Sequence, residues 1–502
     1  MTITFPGKQT FRHLIRGPRG LFLAAAAGTF LFYVAFLLFF RDYLLRALKN
    51  NPDILDLQYY ADIFHHADPP LVSLILLFVL LFVFYDRVRA AFSFFSRHRR
   101  PFLFTVVVVS AVVQLAIAFG IDTLPIADST FYIAHAERLY ATGSYVTADG
   151  LKTCFWPVGY PAFLALLHYP GTNPVLLARL SNILFSAALL LILIQVFKRE
   201  LTGNEMAAFL VVVAFFPNQL FASNTLLTEP VFTTLLWLGI LLALRSRKHA
   251  AVAPLAGLVL GLCAYLRPAA LILPFLFAGF FLKTGAFSGA IKRALLLAAV
   301  ALLVVLPWTY RNYLVFGEVV PVSSNGGFMF LMGNNPRATG GTNFQFPSDL
   351  PGNEAERDRQ AFHAGLRFIV ENPGAFLLNV PRKVFFDYYR GDPYVTWSLK
   401  STGKPVPPLV PAFAFFYANT LFYFIVLLSL AGFARHRRRV FQSATLSLGL
   451  VTYLAFLLVT IFFVGSERYL LPLFPLHAFF FVKFLARSRP LGDSPPGEVS
   501  AP

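Results

Sequence analysis

Apolar runs long enough to cross a bilayer recur from one end of this sequence to the other, and they leave few folds open. A hydrocarbon core about 30 Å thick asks for roughly 17–25 apolar residues per helical crossing. Candidate stretches are residues 21–40, 71–85, 102–121, 175–197, 207–222, 229–244, 251–266, 268–282, 294–308, 409–433, 441–464 and 471–486. Several are short, 229–244 and 268–282 above all, so the expectation is about twelve transmembrane helices, bounded at roughly 10–13. Nothing alternates in the manner of barrel strands. Only 13% of the 502 residues are charged and 57% are hydrophobic, against about 25% charged in soluble proteins. The chain therefore reads as an all-α polytopic membrane protein.

The net charge of +18 does not indicate nucleic acid, because the basic residues fall in short loops between the apolar runs. There they set topology and meet anionic lipid. With the N-terminus inside, DRVRAAFSFFSRHRRP, RSRKH and ARHRRR are all cytoplasmic, while the loops 41–70 and 122–174 are nearly balanced in charge and lie outside. The expected location is the inner (cytoplasmic) membrane, with both termini cytoplasmic. The run 21–40 is too long for a signal-peptide core and reads as an uncleaved first span. Cys154 falls in an outer loop and Cys263 in a span, so they give neither a disulfide nor a metal spacing.

The chain divides into an N-terminal hairpin with a basic loop (1–101) and a membrane core (102–308) that includes the outer loop 122–174. A long polar segment follows (309–408), expected to be a small mixed extracytoplasmic domain. Then come the C-terminal helices (409–487) and a Pro/Ser/Gly-rich tail (488–502) expected to be disordered. A polar segment as long as 309–408 is rarely a mere connector. No repeat relates the two halves, which weighs against a transporter built from inverted repeats.

Ionisable residues gather at the outer ends of the spans: Asp128, Glu229 in LLTEPVF, Arg267 in CAYLRPAA, Arg311 in PWTYRNYL, and Glu467 with Arg468 in GSERYLL. Charges beside apolar core are expensive and pair or serve a function. Bland explanations stand beside that one. Asp128 alone reads best as a helix cap, Arg267 could snorkel, and Glu467 with Arg468 could be an interfacial pair. Arg179 reads as a structural partner for a loop carboxylate. Tyr132 and His135 share a helical face with Asp128, which suits packing as well as chemistry.

The ordered series Asp128, FWPVGYPAF, LTEP, GLCAYLRP, PWTYRNYLVFG, SNGGFMFLMGNNPRATGG and ERYLLPLFP resembles the bacterial branch of the dolichyl-phosphate-mannose–protein mannosyltransferase family. That family belongs to the GT-C glycosyltransferase superfamily, and the lipid A aminoarabinose transferase is related to it. The resemblance covers about residues 102–486. It implies a polyprenyl-phosphate-linked sugar donor and a catalytic acid in the first outer loop, here Asp128. Two departures stand out. Members commonly carry an Asp-Glu pair where this chain has Asp128-Ser129, which leaves the second carboxylate and any divalent metal open, with Glu229 as the candidate. Members also usually begin one span before the catalytic Asp, so the hairpin in 1–101 is extra.

Glycosyl transfer passes through an oxocarbenium-like state. A phosphate leaving group needs little protonation, so the site needs a base for the acceptor hydroxyl and cations for the departing phosphate. The expected reaction is inverting transfer of a monosaccharide to a glycan, lipid or protein acceptor. Asp128 is the expected base, and Arg267, Arg311 and Arg468 the expected phosphate ligands. Glu229, Glu467, Tyr132 and His135 are supporting. Segment 325–335 is expected to form a Gly-rich loop near the acceptor. A lipid-linked-sugar flippase or transporter, and an oligosaccharide ligase or polymerase, are the alternatives.

Overall fold

The computed structural model describes residues 18–49, 57–88, 90, 99–284, 287–343 and 349–486. The basic N-terminus before residue 18 and the tail 488–502 lie outside the described residues. Among the described residues there is no named strand, only the isolated bridges Thr123–Thr402 and Val146–Lys152. The segment 309–408, expected to be a mixed domain, is therefore helical there.

The helices that carry the argument are α1 (Pro18–Ala35), α2 (Leu57–His65), α3 (Asp68–Val83), α4 (Arg99–Gly120), α5 (Asp128–Thr142) and α6 (Pro174–Phe197). They continue as α7 (Glu229–Ser246), α8 (Ala253–Leu266), α9 (Phe287–Phe316), α10 (Gly326–Gly333), α11 (Glu354–Glu371) and α12 (Pro373–Tyr388). The series closes with α13 (Pro393–Lys400), α14 (Leu409–Gln442), α15 (Ala444–Phe462) and α16 (Phe474–Leu485).

Among the described residues eight helices are long and apolar enough to cross a membrane, or nine if α2 and α3, bent by 54°, form one broken span. The chain is a multi-pass membrane protein. The runs expected at 207–222, 251–266 and 268–282 fall on shorter apolar helices, Gly203–Ala214, Ala250–Leu266 and Pro268–Phe277. Proline marks two of the breaks between helices. Pro217 and Pro268 each follow a residue in extended conformation, Phe216 and Arg267, as expected of the residue before a proline.

One close helix crossing is built on small residues. A Cβ at Gly257 of α8 would stand 2.3 Å from the Leu297 carbonyl oxygen of α9, and one at Gly261 would stand 2.8 Å from Val304 Cβ. Without a hydrophobic force between helices in lipid, such backbone approach is what holds a pair. The main core gathers Phe197, Phe209, Phe232, Trp237, Phe281 and Phe479. Trp237 of α7 also donates Nε1–H to the Pro472 carbonyl at 2.9 Å. That bond ties α7 to the short 3-10 helix Glu467–Leu473. The N-terminal hairpin has its own core, with Phe36, Ile63, Phe64 and Phe78 packed against Ala412 and Phe416 of α14.

Candidate active site

Asp128 is the first residue of α5, but its carboxylate does not cap the helix. The N-cap is Ala127, with φ 50° and ψ −131° and no side-chain cap bond. Ser129 instead ties the entry turn together. Its hydroxyl donates to the Ile126 carbonyl at 2.6 Å and accepts from the Ile126 amide at 2.7 Å. Ser129 is buried, and its hydroxyl is committed to that turn. α5 ends at Gly143, whose φ of 66° suits glycine and whose amide bonds the Leu139 carbonyl. Freed from capping, Asp128 Oδ2 accepts from Arg468 Nη1 at 2.5 Å, across 340 residues of chain.

Three more elements deliver the partners. Glu229 opens α7, followed by Pro230 in the first turn, where the helix dipole favours a carboxylate. Arg267 closes α8, and Pro268 forces it into an extended conformation, φ −144° and ψ 105°, that turns it away from the helix. Arg468 sits in the 3-10 helix after α15. Glu229 Oε1 accepts from Arg267 Nη2 at 2.5 Å and from Arg468 Nε at 2.7 Å. The Glu229 side chain is 0% exposed, Arg267 14%, Arg468 18% and Asp128 26%. Glu229 Oε2 and Arg267 Nη1 are buried without a hydrogen-bond partner. The four formal charges cancel, yet unspent donor and acceptor capacity remains. The aromatic walls are Phe232 and Tyr469 around Arg267, at 5.3 and 5.5 Å, and Trp397 under Arg468 at 5.6 Å. A small cleft opens beside Arg468, lined by Ile126, Ala127, Asn224, Leu227 and Trp397 among others.

The remaining expected residues scatter. Tyr132 stays with the cluster: it is buried edge-on against Trp156 and Tyr160, near Asp128 and Arg468. Burial raises its phenol well above the ordinary range. His135 points elsewhere, with Nδ1 on the Val146 carbonyl at 3.0 Å and its ring against Tyr145, and burial lowers its pKa. Arg311 bonds the carbonyls of Thr153 and Tyr145 at 2.8 and 3.2 Å and lies over Trp308. It braces the first outer loop rather than joining Asp128. Glu467 faces Arg390 and Asp392. Arg179 bonds backbone carbonyls of Ala118 and Thr123, with the loop carboxylate of Asp122 as its charge partner. Segment 325–335 is mostly α10 rather than an open loop. Among the described residues no three His, Cys, Asp or Glu side chains group as a metal site. An ion between Asp128 and Glu229 would have to displace Arg468.

The segment 309–408 fixes the turn that launches Arg468. Asn334 donates to the Phe462 carbonyl at 2.7 Å and Lys383 to the Ile461 carbonyl at 3.0 Å. Asp387 accepts from the Ser466 amide at 2.8 Å and from Thr460 Oγ1 at 2.7 Å. Gly465 has no room for a side chain, since a Cβ would meet the Lys383 carbonyl oxygen at 1.8 Å. Asp387, Lys383, Arg390, Asp392 and Trp397 escape a sequence reading that looks only at span ends. The density of charge and aromatic rings in KVFFDYYRGDPYVTW was the available signal.

Several solved structures resemble this chain, and two represent them. One is the archaeal oligosaccharyltransferase AglB from Archaeoglobus fulgidus, in complex with an inhibitory peptide and a dolichol-phosphate. Its TM-score is 0.47 at 13% identity, over 76% of this chain and 50% of that one. The other is ArnT from Cupriavidus metallidurans bound to undecaprenyl phosphate, with TM-score 0.37 at 14% identity over 76% of each chain. The match thus spans about half the length of the oligosaccharyltransferase. No protein-family model matches the sequence, nor does any curated protein.

Proposed function

We propose that this chain is an inverting glycosyltransferase that moves one monosaccharide from a polyprenyl-phosphate carrier to a hydroxyl of a glycan, lipid or protein. The reaction would take place at the outer surface of the cytoplasmic membrane. The observation that carries this reading is the convergence of one accessible carboxylate, Asp128, with two guanidinium groups, Arg468 and Arg267, at the ends of apolar helices. Such a site meets a lipid-borne phosphate at the depth where its headgroup lies.

The acceptor oxygen bonds the anomeric carbon as the bond from that carbon to the phosphate oxygen breaks. The acceptor proton goes to Asp128, and the bonding pair leaves with the phosphate. Guanidinium groups match phosphate oxygens in bidentate geometry. Arg267 Nη1 has no partner and is the first donor to offer. Because the four resting charges cancel, an arriving phosphate also draws on Arg468. Each contact Arg468 gives the phosphate loosens its hold on Asp128 and leaves that oxygen to the acceptor. Glu229, buried between the two arginines, orients both. Arg311 supports the site through the loop it braces.

The test uses purified protein with undecaprenyl phosphate as the binding probe and the lipid-linked sugars that accumulate in a deletion strain as donors. Asp128→Asn keeps lipid-phosphate binding and loses transfer by about 10²–10⁴, the usual worth of a general base. Wild-type turnover in that variant removes Asp128 from the base role. Mass spectrometry of the product, one sugar or many, separates a monosaccharide transferase from an oligosaccharide ligase or polymerase.

A further inference from the structure

The N-terminal hairpin takes no part in the chemistry above, yet its outer end reaches the elements that hold the site. Tyr60 of α2 accepts a hydrogen bond from Arg390 Nη1 at 3.3 Å. The same guanidinium forks onto Asp392, Nε to Oδ1 at 3.1 Å and Nη2 to Oδ2 at 3.2 Å, and it also faces Tyr389 and Glu467. Asp392 is fully buried. It is the N-cap residue of α13 and accepts from Thr396 Oγ1 and from Asn419 Nδ2 of α14.

α13 and the residue after it touch Arg468 on one side and, on the other, the chain four to five residues before Asp128. Its Trp397 lies under the Arg468 guanidinium. The Ser398 carbonyl accepts from Thr123 Oγ1 at 3.0 Å, and the Ser401 carbonyl from the Leu124 amide at 2.6 Å. Those bonds hold the turn that leads into Asp128. A continuous series of contacts therefore runs from the hairpin through Arg390 and Asp392 to α13, and from α13 to the base and its arginine.

We propose that the hairpin is part of the catalytic unit, with Tyr60 and Arg390 as positioning residues that fix α13 and, through it, Asp128 and Arg468. This rests on the reading of Asp128 as the base. Neither residue touches substrate. They act by restricting where α13 can sit.

The experiment uses the full chain in lipid nanodiscs, with Tyr60→Phe, Arg390→Lys and the double variant. Backbone hydrogen exchange is followed over residues 121–130 and 393–400. Transfer is measured with the accumulated lipid-linked sugars. Tyr60→Phe keeps the ring in the hairpin core and removes only the hydroxyl. Expected results are faster exchange in both segments and a kcat lowered roughly tenfold, as for a base misplaced by a fraction of an ångström. The donor KM and the unfolding temperature should hold. Because Tyr60 acts through Arg390, the double variant should lose no more than Arg390→Lys alone. Unchanged exchange over 121–130 in Tyr60→Phe overturns the proposal, and so do additive losses in the double variant. If the wild-type protein transfers no sugar, the reading of the reaction fails while the exchange result still decides the coupling.

Discussion

Ala127 holds φ 50° and ψ −131° immediately before Asp128, a conformation that a Cβ makes costly by about 1–3 kcal/mol. Such strain persists only where the surroundings impose it. Here the turn is pinned by the α13 carbonyls on one side and by the Ser129–Ile126 bonds on the other. Replacing Ala127 with glycine relieves the strain but adds chain entropy worth about 0.5–1 kcal/mol. The expected net result is a denaturation midpoint that stays level or rises. Turnover should fall, because a freer residue 127 aims Asp128 less well. A variant that gains stability and turnover together would show that the strain does not aim the base. At this scale the sequence discloses the partners better than their geometry. Asp128, Glu229, Arg267 and Arg468 are legible because charges beside apolar runs must find each other. Arg311 follows an apolar run just as Arg267 does, and only the fold shows it on backbone carbonyls. Ala127 is invisible in sequence, since nothing local makes an alanine adopt positive φ.

Among the elements, α12 does most to place Arg468, through Asp387 on Ser466 and Thr460 and Lys383 on Ile461. Burial pushes the Asp387 carboxyl up to about 7, against the lowering effect of its two hydrogen bonds, and burial brings Lys383 down to about 8. A carboxyl whose folded pKa stands above its unfolded value of about 4 contributes stability that is fully present below that lower value and is lost as pH rises through the higher one. Wild-type protein should therefore lose thermal stability as pH rises from about 4 to about 7, with little further loss from this group above that. Asp387→Asn cannot titrate and should show a flatter profile over the same window. Superimposable profiles would show that Asp387 does not titrate there. The helical span pattern and α11 are readable in advance; α11 opens on the Asn353–Glu356 capping box. The role of α12 is not, because it depends on which turn of α15 the outer segment meets. The run 207–222 reads as one span because its hydropathy continues across Pro217, while the helix ends at Ala214 and a short one restarts at Pro217.

For the molecule as a whole, the position of the charges separates an enzyme of the membrane surface from a transporter. Transporter sites sit near the midplane, where broken helices meet. Here Glu229 is the first residue of its helix, Arg267 follows the last of another, and Asp128 and Arg468 lie beyond the ends of α4 and α15. The side that this end faces is a matter of charge. Arg435, Arg437, Arg438 and Arg439 cluster near the far end of the long helix α14, and such clusters stay with the cytoplasm. Both native cysteines are buried, so single added cysteines can report the orientation against a low background. Leu151, 67% exposed in the first outer loop, and Arg438, exposed in the basic cluster, are suitable sites. On intact spheroplasts an impermeant maleimide should label Leu151→Cys and spare Arg438→Cys until the membrane is opened. The reverse pattern would put the site in the cytoplasm, where a nucleotide sugar is as accessible as a lipid-linked one, and the argument for a polyprenyl-phosphate donor would fall with it.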